Sequence, residues 1–185
     1  MIILLLTVAL SGAAQDRVCA LVPSDLLEQP RPMFSGLYKN ESFGYSVVIP
    51  EPLKGYESAE ATHHGFGLAL GEVPQSYLDV EGRENSLDNR TAREAAHRFI
   101  RYLNKAPRRV SSTTIHRTKL GGLEAVETVV RYTCEGRTYV VASTLALGPT
   151  KDLEFQVTLS SPSAQFADDR KVLNQILQSW TYIGR

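Results

Sequence analysis

The chain has little of what marks several large classes of protein. Its 185 residues include two cysteines, too few for a disulfide-rich scaffold or a four-cysteine zinc site. Twenty basic residues balance twenty acidic ones, so no overall charge points to nucleic-acid binding. Hydrophobic residues make up 43% and charged residues 22%, which excludes a disordered chain and a collagen-like repeat. The length fits one domain.

The sequence also lacks recognisable signatures of catalysis and of metal or cofactor binding. It contains no G-x-S-x-G motif and no cysteine–histidine signature typical of a nucleophile. The adjacent His63 and His64 point to opposite sides of an extended chain, so they rarely bind one metal together. We therefore predict no catalytic residues, no metal site and no cofactor.

The N-terminal segment is apolar and short. Residues 2–10 are interrupted only by Thr7, and the small residues Gly12 and Ala14 precede polar Gln15. This arrangement is typical of a secretory signal peptide cut after Ala14, and it is shorter than the roughly 20 residues of a membrane span. We expect export to the periplasm or the medium, with no transmembrane span after cleavage. The alternative is a buried N-terminal strand.

The two cysteines are predicted to pair. An exported protein folds under oxidising conditions, so Cys19 and Cys134 are a candidate disulfide bond. In the chain-entropy description, closing a loop of on the order of 100 residues stabilises the fold by about 4–5 kcal/mol. The alternative is one or two free thiols, with Cys134 packed as a small hydrophobic side chain.

The remaining chain divides into a lead-in segment and one domain. Residues 15–36 contain Pro23, Pro30 and Pro32 and show no periodic pattern, which predicts an extended segment on the surface. No linker, internal repeat or low-complexity tract divides the rest. We therefore expect a single domain over residues 37–185.

The first half of the domain is predicted to contain three strands. Alternating apolar side chains in residues 45–49 and 66–70 predict two of them, and residues 76–80 predict a weaker third. The polar residues 81–90 contain glycine, asparagine and aspartate, which favour a loop.

A helix is predicted from Thr91. Glu94 follows three residues later and completes a capping box, and Pro107 ends the helix. One face of this helix is apolar and consists of Ala92, Ala95, Ala96, Phe99 and Leu103. The helix is therefore amphipathic and is expected to lie on a core.

Four strands and a second helix are predicted to follow. Short turns separate residues 112–119, 123–132, 137–147 and 153–159, which favours consecutive antiparallel hairpins. Residues 137–147 are apolar on both faces, so we expect a strand covered on both sides. Residues 153–159 alternate with polar side chains, so we expect a strand nearer a sheet edge. A helix should span residues 164–178.

The order of these elements predicts the fold class. Strands, a helix, four strands and a helix favour an α+β sandwich around a twisted antiparallel sheet. The motif FGYSVVIP at residues 43–50 opens the domain, and LNQILQSW at residues 173–180 closes it. With this element order, residues 37–183 resemble the PsbP-like superfamily, whose PsbP/Mog-type fold is shared by extrinsic photosystem subunits, a Ran-binding protein and small exported bacterial proteins.

The resemblance implies an α/β/α sandwich with two main helices. It implies no function and no site residue, because members of this superfamily bind different partners.

Charge is distributed unevenly along the chain. Residues 41–88 contain nine acidic and two basic residues, whereas residues 89–119 contain nine basic residues and one acidic residue. The candidate partner surface in this basic block consists of Arg93, Arg98, Arg101, Lys105, Arg108 and Arg109. The two blocks either pair within the fold or leave a cationic surface for an anionic protein or for lipid headgroups. Aromatic residues are not interleaved through the block, so we expect no nucleic-acid partner.

Taken together, these patterns predict a non-enzymatic exported binding or accessory domain of unknown partner. Its partner surface is expected in the 81–90 loop or on the basic helix. The alternatives are a hydrolase that uses the acidic loop and the histidines, and a purely structural envelope protein. The sequence leaves the oligomeric state open.

Overall fold

The structure, a computed structural model, describes Cys19, Leu21 and residues 33–57, 64–71, 76–105 and 107–184. The predicted signal peptide, residues 1–14, lies outside these residues, as do His63 and most of the predicted lead-in segment. No helix in the described parts of the chain is long and apolar enough to cross a membrane.

Eleven strands and two helices make up the described fold. The strands are β1 (Met33–Phe34), β2 (Gly36–Asn40), β3 (Tyr45–Ile49), β4 (Gly55–Glu57), β5 (His64–Leu70), β6 (Ser76–Glu84), β7 (Arg109–Leu120), β8 (Leu123–Cys134), β9 (Arg137–Leu147), β10 (Leu153–Pro162) and β11 (Thr181–Tyr182). The helices are α1 (Ala92–Leu103) and α2 (Phe166–Ser179). This composition confirms the predicted α+β sandwich.

The strands form two antiparallel sheets. The main sheet has eight strands in the order β1-β4-β5-β6-β10-β9-β8-β7, and the small sheet has the order β11-β3-β2. The predicted succession of hairpins from β7 to β10 is confirmed. Gly121 and Gly122, both at positive φ, form the two-residue turn between β7 and β8. Positive φ at both turn positions is the geometry of a type I′ hairpin.

The helices lie on opposite faces of the main sheet. On one face, Ala95 and Ala96 of α1 pack against Leu145 of β9. On the other, Leu173 of α2 shares a cluster with Ala146, the next residue of β9. Because successive side chains of a strand point to opposite faces, this pattern places one helix on each side. The prediction that β9 is covered on both faces is confirmed.

The prediction that residues 153–159 lie near a sheet edge is wrong. β10 pairs with β6 on one side and with β9 on the other, in the middle of the main sheet. Glu154 and Gln156 are 3% and 5% exposed. The alternation arises because one face of β10 belongs to the apolar core, whereas the other carries polar side chains that are hydrogen-bonded to β6.

The predicted 81–90 loop is shorter than expected. β6 continues to Glu84 because its pairing with β10 extends from Tyr77 opposite Ser160 to Glu84 opposite Leu153. The connection to α1 therefore begins at Asn85, whose side chain accepts from the Asn89 backbone N–H at 3.0 Å.

The N-terminal side of the domain is tied to the main sheet. Cys19 and Cys134 form the predicted disulfide bond, with Cα atoms 5.6 Å apart. The buried Tyr132 hydroxyl donates to the carbonyl oxygen of Cys19, and burial raises the pKa of Tyr132 to about 12. The described end of the predicted lead-in, residues 33–36, forms β1 and the start of β2.

Trp180 joins the two sheets in the core. Its ring is 2% exposed, stacks on Tyr45 of the small sheet at 5.5 Å and meets Phe155 of the main sheet edge-on at 5.2 Å. The turn at Gly121 closes over the same ring, since a Cβ atom there would lie 2.5 Å from Trp180 Cε3. The indole therefore fills the space between the sheets.

Trp180→Ala should lower the free energy of unfolding by about 3–5 kcal/mol, because it removes a buried aromatic side chain and leaves a cavity. Urea unfolding measures the change. Leu37→Ala is the matched control: Leu37 is 67% exposed, and its truncation should change stability by about 0.5 kcal/mol or less. A loss below about 1 kcal/mol for Trp180→Ala would contradict the core position of the ring.

Candidate functional site

A cleft opens beside α1 on its face of the main sheet. α1 packs mainly on β8 and β9, and the neighbouring strands β10, β6 and β5 form the floor of the cleft. α1 forms one wall, and residues 84–89 form the other. The cleft has a volume of about 840 Å³, which lies in the range typical of ligand sites.

Local sequence signals fix both walls. Thr91 Oγ1 accepts a hydrogen bond from the Glu94 backbone N–H at 3.2 Å, as the predicted capping box requires. The Glu94 carboxylate in turn accepts from the Arg90 backbone N–H at 2.7 Å. Small buried Ala95 and Ala96 let α1 approach the sheet closely. The 84–89 wall is thereby anchored to the first turn of the helix.

The floor is a polar network centred on Arg83. Its Nη1 donates to Glu81 at 2.8 Å, its Nε to Glu154 at 3.0 Å and its Nη2 to Gln156 at 3.0 Å. Asn89 Nδ2 donates to the second oxygen of Glu154 at 2.8 Å. Strand register produces this arrangement, because Glu154 lies opposite Arg83 and Gln156 lies opposite Glu81.

Charge compensation makes this burial possible. Glu81 and Glu154 are 5% and 3% exposed, and buried carboxylates are tolerated when they are paired and hydrogen-bonded. Burial disfavours the charge on Arg83, but Glu81 and then Glu154 outweigh it, so the pKa of Arg83 is raised above its ordinary value. The positive charge of Arg83 is therefore stabilised, and its hydrogen bonds fix the floor in position.

Asn89 Oδ1 and Arg98 Nε are buried polar atoms along the cleft that have no hydrogen-bond partner among the described residues. The first is an acceptor and the second a donor. Arg98 also donates through Nη2 to the carbonyl oxygen of Leu87 at 3.2 Å, which links the two walls. A ligand with a donor and an acceptor could satisfy both atoms, and leaving them unpaired is costly.

Apolar side chains surround the mouth of the cleft. Leu87 is 56% and Tyr102 is 51% exposed, and both line it. At the other end, the Phe43 ring packs against the His64 ring at 4.5 Å between centroids. The cleft thus combines a charged floor with apolar contacts at its rim, as ligand pockets commonly do.

The structure separates the six basic residues predicted as a partner surface. Arg93, Arg101, Lys105 and Arg109 are exposed, and Arg98 is half-buried in the cleft. Arg108 is 9% exposed: it donates to the carbonyl oxygen of Leu103 and its guanidinium lies 5.1 Å from the Tyr102 ring. Arg108 is therefore used within the domain.

The basic block was expected either to pair with the acidic block or to form a free cationic surface, and the ion pairs of the described residues can be compared with these alternatives. None of them joins Arg93, Arg98 or Arg101 to the acidic residues of 41–88. The acidic side chain Glu81 pairs instead with Arg83 inside its own block. Within the described residues, these three arginines therefore do not join the two blocks by ion pairs.

The 84–89 segment and α1 form the walls of one cleft, and Arg98 is the member of the predicted basic surface that lines it. Glu154 and Gln156 of the floor were not predicted as site residues. Their partner Arg83 lies 71 and 73 positions earlier in the chain, so no local spacing reveals the contact. The available signal in the sequence was the alternation of polar and apolar residues in 153–159, which we interpreted as the pattern of an edge strand.

The three histidines that the structure describes do not form a common centre. His64 lines the cleft, and His97 is exposed on α1. His116 lies on the edge strand β7, where its Nε2 is 3.4 Å from a carboxylate oxygen of Glu127 on β8. In the part of the chain that the structure describes, no three histidine, cysteine or acidic side chains are grouped as a metal site would need.

Arg83→Met should lower the free energy of unfolding by about 2–4 kcal/mol at pH 7, because it leaves the buried Glu81 and Glu154 carboxylates without their cation; the range allows for the partial exposure of Arg83. Urea unfolding measures the loss. The matched control is the triple variant Arg83→Met/Glu81→Gln/Glu154→Gln, which removes all three charges and should recover most of the stability. Equal losses in both variants would contradict the charge-pairing role of Arg83.

Comparison with known proteins shows similarity at the level of structure. No protein-family model and no curated protein sequence matches the chain. PsbP (CyanoP) from Synechocystis sp. PCC 6803 is 13% identical, with a TM-score of 0.60 over 88% of this chain and 99% of that one. The Ran-binding protein Mog1p of Saccharomyces cerevisiae is 11% identical, with a TM-score of 0.53 over 82% of this chain and 97% of that one.

A protein from Bacteroides thetaiotaomicron is 10% identical, with a TM-score of 0.53 over 82% of this chain and 49% of that one. At these identities the likeness is one of fold. The eight-stranded antiparallel sheet with its two helices, and its match over nearly the whole cyanobacterial protein, show that this chain has the PsbP/Mog-type fold.

Proposed function

We propose that this chain is an exported, non-enzymatic binding or accessory domain that holds a segment of a partner protein in the cleft beside α1. The observation that carries the proposal is the cleft itself, which has a volume of about 840 Å³ and lies between α1 and the 84–89 segment. Its floor is fixed by ion pairs, so the shape is preformed, which lowers the cost of ordering on binding.

The chemistry of the cleft fits a peptide segment. Asn89 Oδ1 can accept from a backbone N–H, and Arg98 Nε can donate to a carbonyl or carboxylate oxygen. Leu87 and Tyr102 offer apolar contact at the rim. The exposed Arg101 on the same helix favours acidic residues in the part of the segment that lies outside the cleft, because the Glu81 and Glu154 carboxylates of the floor repel anions.

A protein partner suits this site better than a lipid headgroup. A phosphate that reached the floor would meet the buried carboxylates of Glu81 and Glu154, which repel anions. Mog1p, which has a similar fold, is a Ran-binding protein. That likeness supports protein binding as one function of this fold, but it identifies no particular partner for this chain.

Two features support export. The apolar run at residues 2–10 followed by small residues is typical of a secretory signal peptide. The Cys19–Cys134 disulfide bond suits an oxidising compartment.

Export predicts a defined mature N-terminus. Protein recovered from the periplasm or the medium should begin at Gln15, because signal peptidase cuts after small residues such as Ala14. N-terminal sequencing or intact mass measures this. Recovery of the chain in the cytoplasm with Met1 intact would exclude the signal peptide.

The partner site predicts a position-specific cross-link. A photoreactive benzoylphenylalanine at Tyr102, in the rim, should cross-link to a discrete partner in the native envelope, because a bound segment must pass this ring. The same group at Leu37 is the matched control: Leu37 is 67% exposed on the small sheet and should give no such product. Mass spectrometry of the product identifies the partner.

A second comparison tests the charge of the partner. Arg93→Glu/Arg101→Glu should lower the cross-link yield at Tyr102 at low ionic strength, and the effect should fade at about 0.5 M salt, where charges are screened. Equal yields at Tyr102 and Leu37, or a yield at Tyr102 that anionic vesicles compete away, would contradict a protein site in the cleft.

A further inference from the structure

β7 is a long open edge of the main sheet. It is the last strand in the order and has 12 residues, whereas β1 at the opposite edge has two. Within the described residues, no strand pairs with its outer side. α1 and α2 pack mainly on β8, β9, β10 and β3. On β7, Ile115 is half-buried against the α1 cluster and the Val110 N–H donates to Asn104, whereas residues 111–114 and 116–119 are exposed.

The hairpin geometry identifies which backbone groups of β7 face outward. In a two-residue hairpin the residues that flank the turn, here Leu120 and Leu123, form a hydrogen-bonded pair, and hydrogen-bonded and non-hydrogen-bonded pairs then alternate. Thr114 and Thr118 are therefore bonded to β8. The outward N–H and C=O groups belong to Thr113, Ile115, Arg117 and Lys119.

The next hairpin supports this assignment independently. Cys134 and Arg137 flank its two-residue turn and are paired, so alternation makes Val126, Thr128 and Val130 the residues bonded to β9. These three are the residues of β8 that lie opposite Arg117, Ile115 and Thr113. Each strand residue directs its N–H and C=O groups to the same side. Because these three residues direct theirs to β9, the residues opposite them on β7 are not bonded to β8 and direct their groups outward.

The side chains of β7 make the edge basic and compatible with strand addition. Arg109, Arg117 and Lys119 are exposed, and the strand contains no acidic residue. Three threonines, one valine and one isoleucine lie in it, and such β-branched residues favour extended structure. The strand therefore presents regularly spaced donors and acceptors beside positive charge.

We propose that β7 binds an extended acidic segment of a partner protein by adding it to the main sheet as a further strand. Backbone hydrogen bonds to Thr113, Ile115, Arg117 and Lys119 would supply the attachment. Acidic side chains opposite Arg117 and Lys119 would supply the charge pairing that selects the partner. This surface is separate from the cleft beside α1.

Charge argues against a second copy of the chain as the occupant. An antiparallel pair of β7 strands would bring two sets of Arg109, Arg117 and Lys119 along one seam, and like charges across strands are destabilising. Basic residues on an open edge are a known protection against self-association. The same charges attract an acidic strand.

The test uses a capped synthetic peptide of about nine residues with alternating glutamate and valine, and fluorescence anisotropy at low salt. Two further peptides serve as controls. One has lysine in place of glutamate. The other is N-methylated at its glutamates, whose N–H groups would face β7 when their side chains lie opposite Arg117 and Lys119. We expect the acidic peptide to bind, the lysine peptide not to bind, and N-methylation to weaken binding by about tenfold or more.

Thr113→Pro removes one outward N–H without breaking a bond to β8, since proline is tolerated on edge strands where its nitrogen faces solvent. It should weaken binding by about tenfold or more. The matched control Thr113→Val keeps the N–H and should bind like the wild type. Arg93→Glu/Arg101→Glu, which alters the helix beside the cleft, should also leave this binding unchanged.

Three outcomes would overturn the proposal: no binding of the acidic peptide, equal binding of the N-methylated peptide, or equal binding by Thr113→Pro. A wild-type dimer that Thr113→Pro dissociates in analytical ultracentrifugation would assign the edge to a second copy instead. If Thr113→Pro fails to fold by circular dichroism, the N-methylated peptide decides between the outcomes without any change to the protein.

Discussion

The pairing of β6 with β10 is the constraint on which the rest of this structure depends. In its register, Arg83 lies opposite Glu154 and is held between Glu154 and Glu81. A shift of one residue would turn these charges into the apolar core and expose Phe155 to the cleft, because side chains alternate between the faces of a strand. The ion pairs and the core therefore specify the same register, each from its own face of the sheet.

From this register follows the asymmetry of the α1 face. The helix covers the apolar part of that face, where Val126 and Leu145 lie, and the charged part formed by β6 and β10 stays accessible beside it. An apolar surface of the same extent would need a further helix to cover it, whereas a compensated polar network is stable next to solvent. The cleft therefore lies where the apolar side chains of this face give way to polar ones on β5, β6 and β10. Arg98 completes the cleft, because its hydrogen bond to the carbonyl oxygen of Leu87 links the two walls.

Local patterns in the sequence predicted most of the elements. The Thr91–Glu94 capping box, the Gly121–Gly122 turn and the two-sided apolar pattern of β9 each depend on residues close together in the chain, and each was found where expected. The floor of the cleft depends on pairs more than 70 residues apart, which no window of sequence contains. Alternating polar and apolar residues are expected both in an edge strand that faces solvent and in a central strand that faces a polar cleft. The two cases differ only in whether a second strand pairs with the other edge, as β6 does with β10.

The small sheet has a consequence for the order of folding. β11, at residues Thr181–Tyr182, pairs with β3 near the start of the domain, and Trp180 stacks on Tyr45 across the same junction. The core between the sheets therefore cannot close until β11 has been synthesised, and such contacts between distant parts of a chain form slowly. Until then, a nascent chain lacks the contacts of β11 and Trp180 that close this core. That property suits the export proposed for it, since a chain that threads through a membrane channel must do so before it folds.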